Sequence, residues 1–151
     1  MIYIAADHRG YSLKEALKTA LLEVGYEVKD MGALNLDIAD DYPDFVEAAC
    51  EAALHDPAHS KVILVCGSGH GMDMAANKYK GLRAALCFNT SVAKQSREHE
   101  DANVLVLASD WVKESEAFEI AKIWLETEFD GADRNIRRLA KIKQQEDRNF
   151  K

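Results

Sequence analysis

The sequence predicts an α/β protein built on a five-stranded parallel sheet with helices on both faces and one extra helix at the C-terminus. Two observations carry this. Short apolar runs of strand length alternate with segments whose apolar residues recur at helical spacing, and the run Val62-Ile63-Leu64-Val65 lacks the polar alternation of a half-exposed strand, as a strand covered on both faces should.

Met1–Ala6 reads as the first strand. Ser12-Leu13-Lys14-Glu15 has the form of a capping box opening a helix, in which Leu13, Ala16, Leu17, Ala20, Leu21 and Val24 share one face and Gly25 supplies the stop. Tyr26–Met31 reads as the second strand. A polar loop, Gly32–Tyr42, carries Asp37, Asp40 and Asp41. Pro43 suits the first turn of a helix whose packing face is Phe45, Ala48, Ala49, Ala52 and Ala53. Lys61–Cys66 is the third strand, followed by the turn Gly67–Gly71 and a short helix near Met72–Lys78. Then come strand Arg83–Phe88, helix Thr90–Glu98 and strand Val104–Ala108. Ala117, Ile120, Ala121, Trp124 and Leu125 mark the next helix, and a last one begins near Arg134.

A chain of 151 residues without a linker, repeat or low-complexity stretch is read as one domain over 1–151, long enough to bury a core unaided. No apolar run approaches the ~20 residues of a membrane span, and Met1–Ala6 leads straight into Asp7-His8-Arg9 without a secretory pattern, so a cytoplasmic protein with no membrane partner is expected. Three cysteines, Cys50, Cys66 and Cys87, form no C-x-x-C pair, and free thiols are expected. The formal charge of −7 speaks against nucleic acid as a partner. His55 and His59 have the i, i+4 spacing of metal ligands, but Pro57 lies between them, and no metal site is expected.

In parallel sheets ligands bind beyond the carboxyl ends of the strands, which directs attention to the strand-to-helix turns. The strongest signal is Cys66-Gly67-Ser68-Gly69-His70-Gly71. Three alternating glycines allow a tight turn with inward N–H groups, and the helix start adds positive potential, together an anion cradle. A plain tight turn remains open, as does a dinucleotide loop, although the spacing is G-x-G-x-G and no acid ends the next strand. Cys66 at the lip of this cradle is expected to favour thiolate, as nucleophile or general base, unless it is a small core residue. Asp7 and His8 end the first strand, which commonly neighbours the third. Arg134 and Arg138 stand i, i+4 on the last helix, where two guanidinium forks suit a phosphate, or else a solvated face paired with Asp133, Glu146 and Asp147. A base beside a carbonyl, the Ser68 hydroxyl and loop N–H groups for enediolate oxygens, and a remote arginine clamp are the parts of a cofactor-free aldose–ketose isomerase.

The segments ADHRGYSLK (6–14), DYP (41–43), CGSGHGMDMAANKYKGLRAAL (66–86) and SREHEDANVLVLAS (96–109) resemble the type B ribose-5-phosphate isomerases, whose wider family includes the galactose-6-phosphate isomerase subunits. The resemblance spans nearly the whole chain. It implies a Rossmann-like three-layer α/β/α sandwich, metal-free interconversion of ribose 5-phosphate and ribulose 5-phosphate, and a homodimer or homotetramer whose active sites are shared between subunits. By motif, Cys66 resembles the base that shuttles the proton between C1 and C2, and Ser68 the hydroxyl assisting at the substrate oxygens. The N–H groups of Gly67, Gly69, His70 and Gly71 correspond to the enediolate cradle. Asp7 and His99 match ring-opening residues; His8, Arg134 and Arg138 match phosphate contacts. Members that lack the cysteine use a loop glutamate, at the position Met72 holds here. The chain departs from the pattern at Glu100, beside the substrate, where Asn is typical, at Asp110, where many members carry Arg, and at Asn135, where His is frequent. The first two add negative charge, so a tetrose or hexose phosphate, such as galactose 6-phosphate, stays open as substrate, and so does a non-catalytic flavodoxin-like phosphate- or nucleotide-binding module.

Overall fold

The structure, a computed structural model, describes residues 1–150. Eleven elements follow in order: β1 (Ile2–Ala6), α1 (Tyr11–Glu23), β2 (Val28–Asp30), α2 (Tyr42–Leu54), β3 (Lys61–Cys66), α3 (His70–Ala76), β4 (Ala84–Leu86), α4 (Thr90–Glu100), β5 (Val104–Ala108), α5 (Glu114–Glu126) and α6 (Asp133–Asn149). The five strands form one parallel sheet in the order β2-β1-β3-β5-β4. The α/β fold read from the sequence is therefore present.

The chain moves outward from β1 to β2, returns past β1 to β3, steps over β5 to the edge strand β4, and turns back to β5. Right-handed crossovers then put the helices of opposite steps on opposite faces. Accordingly α1, α4 and α5 pack together on one face and α2 and α3 on the other. Residues of β3 alternate between the two cores: Ile63 and Val65 join Leu17, Leu21, Ile120 and Trp124, while Val62, Leu64 and Cys66 join Val46, Ala49, Met72 and Ala76. This is why the strand shows no alternation in its sequence.

Several boundaries differ from the sequence reading. α1 starts at Tyr11 with Gly10 as N-cap and no side-chain cap, so Ser12 lies inside the first turn and closes no capping box. The buried stripe of α2 is Val46, Ala49, Cys50 and Ala53, and of the expected face Phe45 is only partly buried against the same core. β2 and β4 are each three residues long, as suits edge strands with one ladder. α3 begins at His70, two residues before the expected start, which takes Gly71 into the helix. Helix α2 ends at Leu54, and His59 pairs with Asp56 instead of sharing a helical face with His55. Among the described residues no helix is long and apolar enough to cross a membrane.

Lys14 is fully buried in α1, and its ammonium donates to both Asp30 oxygens (2.8 and 2.9 Å) and to the Ala33 carbonyl (2.6 Å). These bonds tie the loop after β2 to β1, where Ala33 N–H donates to the Ala6 carbonyl. Burial pushes the Asp30 carboxyl up, but hydrogen bonds from Lys14, Lys18 and the Gly32 N–H outweigh it and hold the carboxyl below its ordinary value of 3.8. A depressed carboxyl contributes stability that is present above the unfolded-chain value and is lost as pH falls through the lower folded one. Lys14→Ala should therefore cost about 3 kcal/mol in urea unfolding at neutral pH, since it removes the buried donor shared by Asp30 and the Ala33 carbonyl and leaves Asp30 to Lys18 and the Gly32 N–H. The deficit should narrow below about pH 4 as Asp30 takes up a proton. A deficit that stays constant on acidification would show that Lys14 acts by packing alone.

Candidate active site

β1 and β3 are neighbours in register, with Ala6 beside Val65. Their chains leave in opposite directions, β1 toward α1 and β3 toward α3 on the other face, so a crevice opens between their carboxyl ends. The turns Asp7–Gly10 and Cys66–His70 line it. Asp7 is buried, and its Oδ1 accepts from the N–H groups of Arg9 (3.1 Å) and Gly10 (3.0 Å), which closes the turn into α1. A Cβ at Gly10 would overlap the Val65 carbonyl, so only glycine permits this approach.

The glycines of the loop have separate causes. Gly69 sits at φ +79, a left-handed conformation that side chains disfavour. Gly67 and Gly71 are sites of close approach, the first beneath the Arg9 guanidinium and the second beneath the Tyr42 ring. Two loop N–H groups are already engaged within the loop: Gly69 donates to Cys66 Sγ (3.1 Å) and His70 to Ser68 Oγ (3.4 Å). The His70 ring stacks obliquely on Trp111, 5.8 Å between centroids.

Cys66 is 5% exposed. Burial pushes its thiol up, with Asp7 adding to the effect, and the N–H groups of Gly69 and Met72 and the Arg9 charge only partly oppose it. Desolvation thus outweighs the loop dipoles, which runs against the expected stabilisation of the thiolate. Cys50 and Cys87 are fully buried, with thiols pushed up to about 12 and about 11.

Arg9, Ser109 and Asp110 join the three central turns. Asp110 N–H donates to the Gly67 carbonyl and Ser109 N–H to the Cys66 carbonyl, while Ser109 Oγ donates to the Arg9 carbonyl (2.9 Å). The Asp110 carboxylate pairs with the Arg9 guanidinium across the loop. The negative charge that Asp110 adds to this rim is thus matched by a cation two residues after Asp7. On the other side His8 Nδ1 lies 2.6 Å from Asp40 Oδ1. Asp7, His8 and Asp40 are the group among the described residues whose ligand atoms all lie within 4.8 Å, as a metal site would require. Within that group His8 Nδ1 and Asp40 Oδ1 are hydrogen-bonded to each other.

His99, Glu100, Arg134 and Arg138 lie elsewhere in the chain. α4 starts at the carboxyl end of β4 and runs back, so His99 and Glu100 sit at the amino ends of the strands, where Arg83 Nε donates to the Glu100 carbonyl (3.0 Å). β3 alone, six residues long, separates the two ends by about 17 Å at ~3.3 Å per residue. α6 packs near the same end: Asp130 N–H donates to the Glu98 carbonyl, and Gly81 N–H to Glu146. Arg134 and Arg138 are exposed, and neither is in an ion pair among the described residues, whereas Asp147 is held by Lys80 and Lys143. Asn135 is buried and donates to Asp130 (3.1 and 3.0 Å), a structural role at the start of α6.

Comparison with known proteins matches residues 2–142 to the family described as Ribose/Galactose Isomerase. The chain belongs to that family. Among curated relatives, a probable ribose-5-phosphate isomerase B of Mycoplasma pneumoniae is 41% identical over 141 residues, covering 93% of this chain and 91% of the relative. Ribose-5-phosphate isomerase B of Mycobacterium tuberculosis is 37% identical over 138 residues, covering 91% and 85%. The structure of the Mycoplasma genitalium ribose-5-phosphate isomerase B, with ribulose 5-phosphate bound, superposes with a TM-score of 0.93 at 39% identity over 97% of this chain and 95% of that one. The Clostridium thermocellum enzyme gives 0.92 at 41% identity over 97% of each.

Asp40, Arg9, Ser109 and Tyr42 were not singled out by sequence as site residues. The signal for Arg9 was its place beside Asp7-His8, and for Tyr42 the DYP segment; Asp40 was one of three loop acids and nothing in the pattern separated it from the others.

The raised Cys66 thiol sets a measurable reactivity. Iodoacetamide should label Cys66 more slowly than a free cysteine at about pH 8, with the rate still climbing above 9.0, and peptide mapping should find Cys50 and Cys87 unlabelled. A rate that levels off below neutral pH would reveal a stabilised thiolate instead.

Proposed function

We propose that this protein interconverts ribose 5-phosphate and ribulose 5-phosphate through an enediolate, with Cys66 as the base that moves the proton between C2 and C1. The observation that carries the reading is the placement of Cys66 and Ser68 on one glycine loop beside the Asp7-His8 turn, in a chain whose relatives are named ribose-5-phosphate isomerase B. A thiolate formed in this desolvated position takes the C2 proton of the open-chain aldose, and the resulting charge develops on O1, within reach of loop N–H groups. The Ser68 hydroxyl passes the proton between O1 and O2. Returning the thiol proton to C1 completes the ketose and regenerates the base. Neither step needs a metal or organic cofactor. A thiol raised by burial makes a scarce base in the free protein and a strong one once ionised.

Asp7 and His99 open the furanose ring in this reading, and His8, Arg134 and Arg138 hold the phosphate. Because His99 and both arginines lie at the far end of the sheet, one protomer cannot assemble the set, and a homodimer in which they approach a partner's Cys66 loop completes it. Large apolar side chains exposed around the carboxyl ends of the strands support that assembly: Leu34, Leu36, Met74, Phe88 and Trp111 are each at least 60% exposed. Arg134 and Arg138 are exposed and form no ion pair among the described residues, which leaves them available to an anion.

Subunit mixing tests both halves of the proposal. Cys66→Ala and His99→Ala should each abolish most turnover, with Cys66→Ala still binding the sugar phosphate. Co-refolded from an equal mixture, they should regain activity equivalent to about a quarter of the wild-type sites, since half of the random dimers carry one intact site. A mixture no more active than its components would contradict shared sites, and a fully active Cys66→Ala would remove Cys66 as the base.

A further inference from the structure

We propose that Asp40 is a positioning residue for His8, fixing the imidazole so that Nε2 is the ring nitrogen presented to the substrate. The inference rests on the reading of His8 as a substrate contact. Residues 34–39 of the loop between β2 and α2 are all exposed, and Asp40 is where the loop turns inward. Its side chain is only 9% exposed. Oδ1 accepts both the backbone N–H of His8 (3.1 Å) and the ring Nδ1 (2.6 Å).

One carboxylate oxygen therefore grips His8 at two points, which fixes the direction of its side chain as well as the plane of its ring. The other oxygen, Oδ2, is buried with no hydrogen-bond partner among the described residues. A carboxylate so placed depends on the Nδ1–H for compensation, because a buried charge without its donor is costly. The consequence is a single arrangement: Nδ1 carries its hydrogen toward Asp40 and Nε2 is left for the crevice. Asp7, next in the chain and within 4.8 Å, is turned to the Arg9 and Gly10 N–H groups and leaves the ring to Asp40.

A mere tie between the loop and β1 would require only the backbone contact, and the two roles separate experimentally. Asp40→Ala should raise KM for ribose 5-phosphate by about tenfold, the loss of one charge-assisted alignment, with kcat changed by less than about threefold. In a His8→Ala background it should add nothing, because the residue it positions is gone. Asp40→Asn, which keeps the shape and an accepting oxygen, should fall between the wild type and Asp40→Ala. In the ligand-free protein at alkaline pH, the imidazole 15N signals of His8 should show a hydrogen on Nδ1, and in Asp40→Ala a mixture of tautomers. Unchanged 15N signals in Asp40→Ala, or losses that add in the double variant, would overturn the proposal. Should no aldose phosphate be turned over, the isomerase reading fails, and the 15N measurement still decides the role of Asp40.

Discussion

The turn after β1 lies directly against the end of β3, and Gly10 is where the two backbones meet: a single methyl there would overlap the Val65 carbonyl. Asp7 makes this turn possible by accepting the Arg9 and Gly10 N–H groups, and parallel pairing of β1 with β3 sets its height beside the Cys66 loop. Asp7, His8 and Arg9 consequently reach the crevice from one side while Cys66 and Ser68 reach it from the other. If α1 stood further out, Arg9 would not cover Gly67 and Asp40 would not reach His8.

Three carboxylates at this end have specific side-chain partners, which the net −7 conceals. Asp110 is matched by Arg9, Asp30 by Lys14 and Lys18, and Asp40 is turned onto a histidine. Arg134 and Arg138, at the opposite end of the sheet, form no ion pair among the described residues. Such a division of groups suits a site completed by a second copy of the chain.

The sheet was legible in the sequence because buried parallel strands leave uninterrupted apolar runs; β3 and β5 begin and end where their sequences indicate. Edge strands were read too long: of Tyr26–Met31 and Arg83–Phe88 only Val28–Asp30 and Ala84–Leu86 are strand, each held by a single ladder. The Ser12 capping box failed because the Asp7 turn already directs the chain into α1 two residues earlier, with Gly10 as N-cap. Cys66, Ser68 and the glycines were visible from local spacing, although the thiol's ionisation depends on burial by Met72 and the surrounding core, which spacing does not encode. Contacts across the fold, Asp110 with Arg9 and Asp40 with His8, join residues 101 and 32 positions apart and had no local signature. The separation of His99 and Arg134 from Cys66 likewise follows from the direction of α4, not from any motif.

Proton transfer through an enediolate is the central chemical claim, and conversion of ribose 5-phosphate in D2O tests it most directly. The account predicts ribulose 5-phosphate carrying solvent deuterium at C1, because the hydrogen removed from C2 passes through an exchangeable thiol. Absence of ketose, or ketose whose C1 holds only the original hydrogen, would contradict it.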